Sequence, residues 1–163
     1  MGLWSSVRLW WAARESERKL QHLAIGVNST VDIENDEHVV MLDFDTADLE
    51  KVRRSVKELQ EQWNLSSACL YRTKHGYHAI FWYDQVPFER VKMLVNYARY
   101  VDPMFKYISR YYDHKTLRVA GKYAKGDVVF DRVVPGKRPP SKQELVRGEM
   151  KRKEHAALMG GVK

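Results

Sequence analysis

A chain of 163 residues that is 44% apolar and 12% aromatic can bury one core without staples and is too apolar to be disordered. Its single cysteine, Cys69, excludes a disulfide framework and a cysteine-based zinc site, and reads as a small buried hydrophobe. The net charge of +7 is concentrated: over 137–163 there are eight Lys or Arg against three Glu, so the basic end points to a polyanion, with an ordinary solvated charged face as the alternative.

Residues 3–21 carry apolar positions at Leu3, Val7, Trp10, Trp11 and Leu20 and read as a helix. A short strand is expected over 23–27, and the acidic stretch 32–37 reads as a hairpin tip. Residues 39–44 are apolar and begin with two valines, the pattern of a central strand. Thr46 is the expected N-cap of a helix to Trp63, whose Leu49, Val52, Val56, Leu59 and Trp63 recur at intervals of three and four. Asn64 is its expected stop.

Two strands follow, over 67–73 and 77–83, joined by Lys74-His75-Gly76. Pro87 opens a helix to Arg99, and a shorter helical piece covers 104–112. Closing strands are expected over 116–119 and 127–134, and Ser141 caps a last charged helix to Met159. No apolar run approaches the roughly 20 residues of a membrane span, so the expectation is an intracellular protein with no membrane partner. The pattern predicts an α+β fold, a mixed or antiparallel sheet with helices on one face and a site on the other. Residues 1–135 are expected to form one domain and 136–163 a basic, partly helical tail.

The chemistry-bearing string is Met41-Leu42-Asp43-Phe44-Asp45. In a strand, Asp43 and Asp45 project together while Phe44 enters the core. Two adjacent anions repel and normally coexist around a cation. The plainer alternative has Asp45 capping the next helix and Asp43 facing water. The second string, Lys74-His75-Gly76-Tyr77-His78, brings a lysine and an imidazole to the lip of a sheet. Carboxylates for a hard cation beside basic groups for phosphate suggest nucleotidyl transfer.

Together these strings resemble the archaeo-eukaryotic primase superfamily, the catalytic core of primases and primase-polymerases, in its plasmid and viral form. Leu42-Asp43-Phe44-Asp45 looks like its first motif, and Lys74 to His78 like the second. Val101-Asp102 looks like the third, and Thr116-Leu117-Arg118-Val119-Ala120-Gly121-Lys122 is similar to the stretch after it. The resemblance spans about half the chain. The second motif usually begins with Ser, and here Thr73 or Lys74 stands in that neighbourhood.

The resemblance implies an RRM-like primase small-subunit core and a nucleotidyltransferase acting on DNA template, primer and nucleoside triphosphates, together with other replication proteins. Mg²⁺ or Mn²⁺ would be held by Asp43, Asp45 and Asp102, with Asp131 competing as third ligand. His78 would contact the triphosphate, and Lys74, Arg72, Arg118 and Lys122 are further phosphate candidates. Lys137, Arg138, Arg147, Lys151, Arg152 and Lys153 are the candidates for the nucleic-acid backbone. Tyr107, Tyr111 and Tyr112 are read either as packing residues or as stacking platforms. A catalytically idle binding module and a metal-dependent nuclease are the rival readings.

Overall fold

The computed structural model describes residues 24–121 and 128–159; the expected helix over 3–21 and Lys122 lie outside them. The chain is a mixed α+β fold built on antiparallel pairing. Its strands are β1 (Ala24–Asn28), β2 (Thr30–Asp32), β3 (Glu37–Phe44), β4 (Ala68–Arg72), β5 (Tyr77–Val86), β6 (Thr116–Gly121) and β7 (Val129–Val134). Its helices are α1 (Leu49–Trp63), α2 (Phe88–Tyr97), α3 (Pro103–Ile108) and α4 (Lys142–Met159). Five strands form one sheet in the order β2-β3-β5-β4-β7, and β1 pairs with β6 in a separate ribbon.

β3 and β5 are the paired centre. Val39, Val40, Met41, Leu42, Ala79, Ile80, Phe81 and Trp82 are fully buried. Consecutive buried residues on a pleated strand require cover on both faces. α1 and α2 supply one cover, burying Val52, Val56, Leu59, Val91, Leu94 and Val95. The other face carries Asp43, His78 and Tyr71, which lie opposite one another across three strands. There α4 supplies the cover: its His155 ring stands 4.5 Å from Tyr71 and 5.2 Å from Trp82. The expectation of helices on one face only is therefore corrected. The hydrophobic stripe of α4 is too weak to reveal it, because its buried residues are Gly148 and His155, and Leu158 and Met159 add apolar contact only at its last turn.

Residues 136–159 are accordingly an integral part of the domain. Ser141 caps α4 as expected: its Oγ accepts the Glu144 N–H at 3.2 Å while Glu144 accepts the Ser141 N–H at 2.7 Å. Gly148 lets the helix rest on the sheet, since a Cβ there would run into the Trp82 carbonyl oxygen and the Tyr83 ring. One smaller correction concerns α1. Its N-cap is Asp48, whose Oδ1 accepts the N–H of Glu50 and Lys51, while Thr46 accepts the N–H of Asp48. Asn64 does end it, in the left-handed region at φ 51°.

Gly148→Ala tests the docking of α4. Alanine in an exposed helix interior would stabilise by about 1 kcal/mol. Here overpacking against the Trp82 backbone costs about 3 kcal/mol and outweighs that gain, so thermal melting should show a lowered midpoint; an unchanged or raised midpoint contradicts the close contact.

Candidate active site

β2 is only three residues long and pairs with Glu37 and His38, leaving the C-terminal end of β3 without a strand from it on that edge. The segment after α2 takes the place: Val101 bridges Phe44, and the Asp102 N–H donates to the Asp43 carbonyl at 2.8 Å. The opposite edge of β3 pairs with β5, setting Asp43 directly across from His78. The hairpin before β5 is tied by the Thr73 N–H to the Gly76 carbonyl and the Gly76 N–H to Thr73 Oγ1, both 2.9 Å. Gly76 is required because a Cβ would collide with the Phe44 carbonyl oxygen.

These contacts enclose a cleft of about 200 Å³ lined by Asp43, Asp45, Thr73, Lys74, His75, His78, Asp102, Arg118 and Val128, with Phe44 and Gly76 at its floor. Asp43, Asp45, Asp102, His78, Lys74 and Arg118, drawn from four separate stretches, thus meet in one place. Asp131 does not line it; it sits on β7 against Arg132 at 2.6 Å. Arg72 does not line it either. Its cross-strand partner is Tyr77, so the pleat turns it to the face opposite His78. Asp45 stands beyond the strand, which ends at Phe44, and reaches the cleft from the following loop.

The electrostatics are unbalanced. Burial, then the neighbouring Asp102 and Asp45 carboxylates, push the Asp43 carboxyl up to about 6, and Arg118 only partly offsets them. Burial, followed by His155 and Arg118, pushes the His78 imidazole down to about 3, so the ring is neutral at physiological pH. Its Nε2 lies 3.7 Å from Asp43 Oδ1, too far for a hydrogen bond, and a neutral ring makes no ion pair. Its buried Nδ1 finds no hydrogen-bond partner among the described residues. Asp102 gives one oxygen, Oδ1, to the Met104 N–H at 2.7 Å and so caps α3.

Among the described residues no three His, Cys, Asp or Glu side chains converge as a ready metal cage. The donors nevertheless suit Mg²⁺ or Mn²⁺, which are commonly held by one or two carboxylates with the remaining positions filled by water and substrate phosphate. The excess of carboxylate charge around Asp43 is what such an ion would relieve.

Arg138, Arg147, Lys151 and Arg152 of the last segment are engaged within the fold. Arg138 binds Asp84 at 2.8 Å, Glu144 at 3.0 Å and the Tyr83 carbonyl at 2.8 Å, and Asp84 is 2% exposed. Arg147 pairs with Asp32 and Glu37, Lys151 with Glu154, and Arg152 with Glu149. Lys137 and Lys153 make no ion pair among the described residues. Sequence reasoning also passed over His155, which is fully buried with neither ring nitrogen hydrogen-bonded among the described residues. Nothing in its charged neighbourhood signals burial. No helix among the described residues is long and apolar enough to cross a membrane. Comparison of the chain with protein-family models, curated proteins and solved structures found no match.

Two outcomes follow from these environments. Because the folded Asp43 carboxyl titrates above its ordinary value, its charged form costs stability that is absent below about pH 4 and complete above about pH 6. Asp43→Asn should therefore melt higher than the unsubstituted chain at pH 8 without divalent cations, and the gap should close between pH 6 and 4; a pH-independent gap refutes the assignment. Arg138→Ala leaves Asp84 buried without its cation and should cost about 3 kcal/mol or more in urea unfolding, whereas a loss of nucleic-acid affinity at unchanged stability would return Arg138 to the surface role.

Proposed function

We propose that this chain is a metal-dependent nucleotidyltransferase of the primase-polymerase type, adding nucleotides from nucleoside triphosphates to a nucleic-acid strand. The observation that carries the reading is the meeting of Asp43, Asp45, Asp102, His78, Lys74 and Arg118 in one cleft at the end of an antiparallel sheet. The sheet-and-helix arrangement, with α1 and α2 on one face, agrees with the RRM-like core that the resemblance implies. Asp102 in place of Asp131 matches the third motif of that family.

In this reading the cleft divides its work by charge. Asp43, Asp45 and the free oxygen of Asp102 hold Mg²⁺ or Mn²⁺, which when bound neutralises charge on the phosphates and polarises the reacting oxygens. Arg118 and Lys74 bring positive charge to the triphosphate. His78, held neutral by burial, contributes a hydrogen bond rather than a charge, and a neutral imidazole can offer one N–H to a phosphate oxygen. The primer 3′-hydroxyl gives up its proton to water as its oxygen forms the new bond to the α-phosphorus. The bond from that phosphorus to the β-phosphate oxygen breaks, and pyrophosphate leaves.

The test is extension of a labelled primer on a template with Mn²⁺ or Mg²⁺ and nucleotides, beside Asp43→Ala/Asp45→Ala. The expected outcome is extension by the unsubstituted chain and a loss of at least about 100-fold in the double variant. Shortened substrate would indicate a nuclease, and retention of DNA with neither product an idle binding module; either overturns the proposal. His78→Ala should raise the KM for nucleotide more than it lowers affinity for primed template.

A further inference from the structure

Beside the cleft, the segment running through Asp102 presents a row of tyrosines to solvent. Tyr100 is 41% exposed, Tyr107 49% and Tyr111 67%. Cores and ordinary solvated faces do not concentrate aromatic rings this way. Tyr107 and Tyr111 share one face, with ring centroids 5.2 Å apart and hydroxyls 2.7 Å apart. Two of the three rings have a cation over them: Arg110 lies 5.8 Å from the Tyr107 centroid, and Lys51 of α1 lies 5.8 Å from that of Tyr100. Over 97–112 the charged residues are Arg99, Lys106 and Arg110 against the single acid Asp102. Arg99 pairs with Glu58 and Lys106 donates to the carbonyls of Asn96 and Ala98, which leaves Arg110 as the segment's outward cation.

A second, independent feature marks the same place. Tyr100 has φ 62°, a left-handed conformation that costs a bulky residue of order 1–2 kcal/mol and persists where surrounding structure imposes it. What imposes it is the next residue, Val101, locked to Phe44 by the strand bridge that also positions Asp102. The strained residue and the carboxylate are therefore two residues apart on one pinned segment. Along α3, at 1.5 Å per residue, Tyr107 stands about 7 Å from Asp102. Tyr100 thus lies two residues before the cleft-lining Asp102, and Tyr107 and Tyr111 follow on α3 and the turn after it.

We propose that this row, Tyr100, Tyr107 and Tyr111 with Arg110 and Lys51, is a stacking platform for single-stranded DNA leading into the cleft. Aromatic faces accept unpaired bases whatever their identity, and the interleaved cations meet the phosphates. A duplex, whose bases are already stacked, offers these rings nothing to bind. The inference rests on the nucleotidyltransferase reading for its direction, but its binding chemistry requires neither nucleotide nor metal.

The experiment measures fluorescence anisotropy of a labelled oligo(dT) in EDTA without nucleotides. The unsubstituted chain should bind it more tightly than a duplex of equal length. Tyr107→Ala/Tyr111→Ala should weaken binding about tenfold or more, while Tyr107→Phe/Tyr111→Phe should stay within about twofold, because the ring face is kept. Arg110→Ala should flatten the salt dependence by about one counterion. Unaltered affinity in the alanine pair, or no oligo binding by the unsubstituted chain, overturns the platform and leaves this face to a protein partner. Equal loss in the alanine and phenylalanine pairs also overturns it, since the hydroxyl bond would then be what matters. Melting curves of each variant separate these losses from unfolding. Primer extension with the same proteins keeps the two proposals apart: extension with unaltered oligo affinity in the variants sinks the platform alone, and tyrosine-dependent binding without extension sinks nucleotidyl transfer alone.

Discussion

The end of β3 is held on both edges at once, and the candidate site depends on that. On one side β5 fixes Asp43 opposite His78; on the other the Val101–Asp102 segment fills the position that the short β2 leaves open. Both attachments run through backbone hydrogen bonds, so they set the side chains without relying on any attraction between them. That matters because the side chains repel. Three carboxylates crowd one cleft, and only strong backbone positioning keeps Asp43 there with its carboxyl pushed up to about 6. Stability is spent at this point and regained in the core, a pattern common to functional sites.

The same sheet end explains the neutrality of His78. α4 and the β1–β6 ribbon cover the face that bears it, and burial makes the imidazolium form unfavourable. Arg118, carried by β6, and Lys74, on the hairpin, therefore supply the positive charge in the cleft. The division is consistent with a site that recognises phosphate by cations at its rim and by a hydrogen bond within.

α4 shows how charge can mislead when read along a chain. Eight basic residues over 137–163 suggest a polyanion-binding tail. In the fold, Arg138 neutralises the buried Asp84, and Arg147 ties the helix to the acidic hairpin of β2 and β3. An arginine's partner can come from anywhere in the sequence, and local composition does not identify it. The exposed aromatic row around Tyr107 is the opposite case: helical spacing suggests packing, yet Phe105 alone of α3 is buried.

Sequence alone determined the elements and the residue types of the site. The continuous apolar runs of β3 and β5 and the 3.6 period of α1 and α2 are local properties, and so are the stop at Asn64 and the turn at Gly76. Asp43 was legible from its carboxylate chemistry at the end of an apolar strand, whereas His78, Asp102 and Arg118 were singled out by the resemblance of their strings to the primase superfamily. Only the tertiary structure decided which of them meet. It brought Asp102 in and left Asp131 and Arg72 out, because strand register and pleat direction set which face a side chain joins, and register is a long-range choice. It also placed α4 over the sheet and buried His155, since a helix docked mainly through a glycine, a histidine and ion pairs, with apolar contact only at Leu158 and Met159, carries little hydrophobic stripe for the sequence to display.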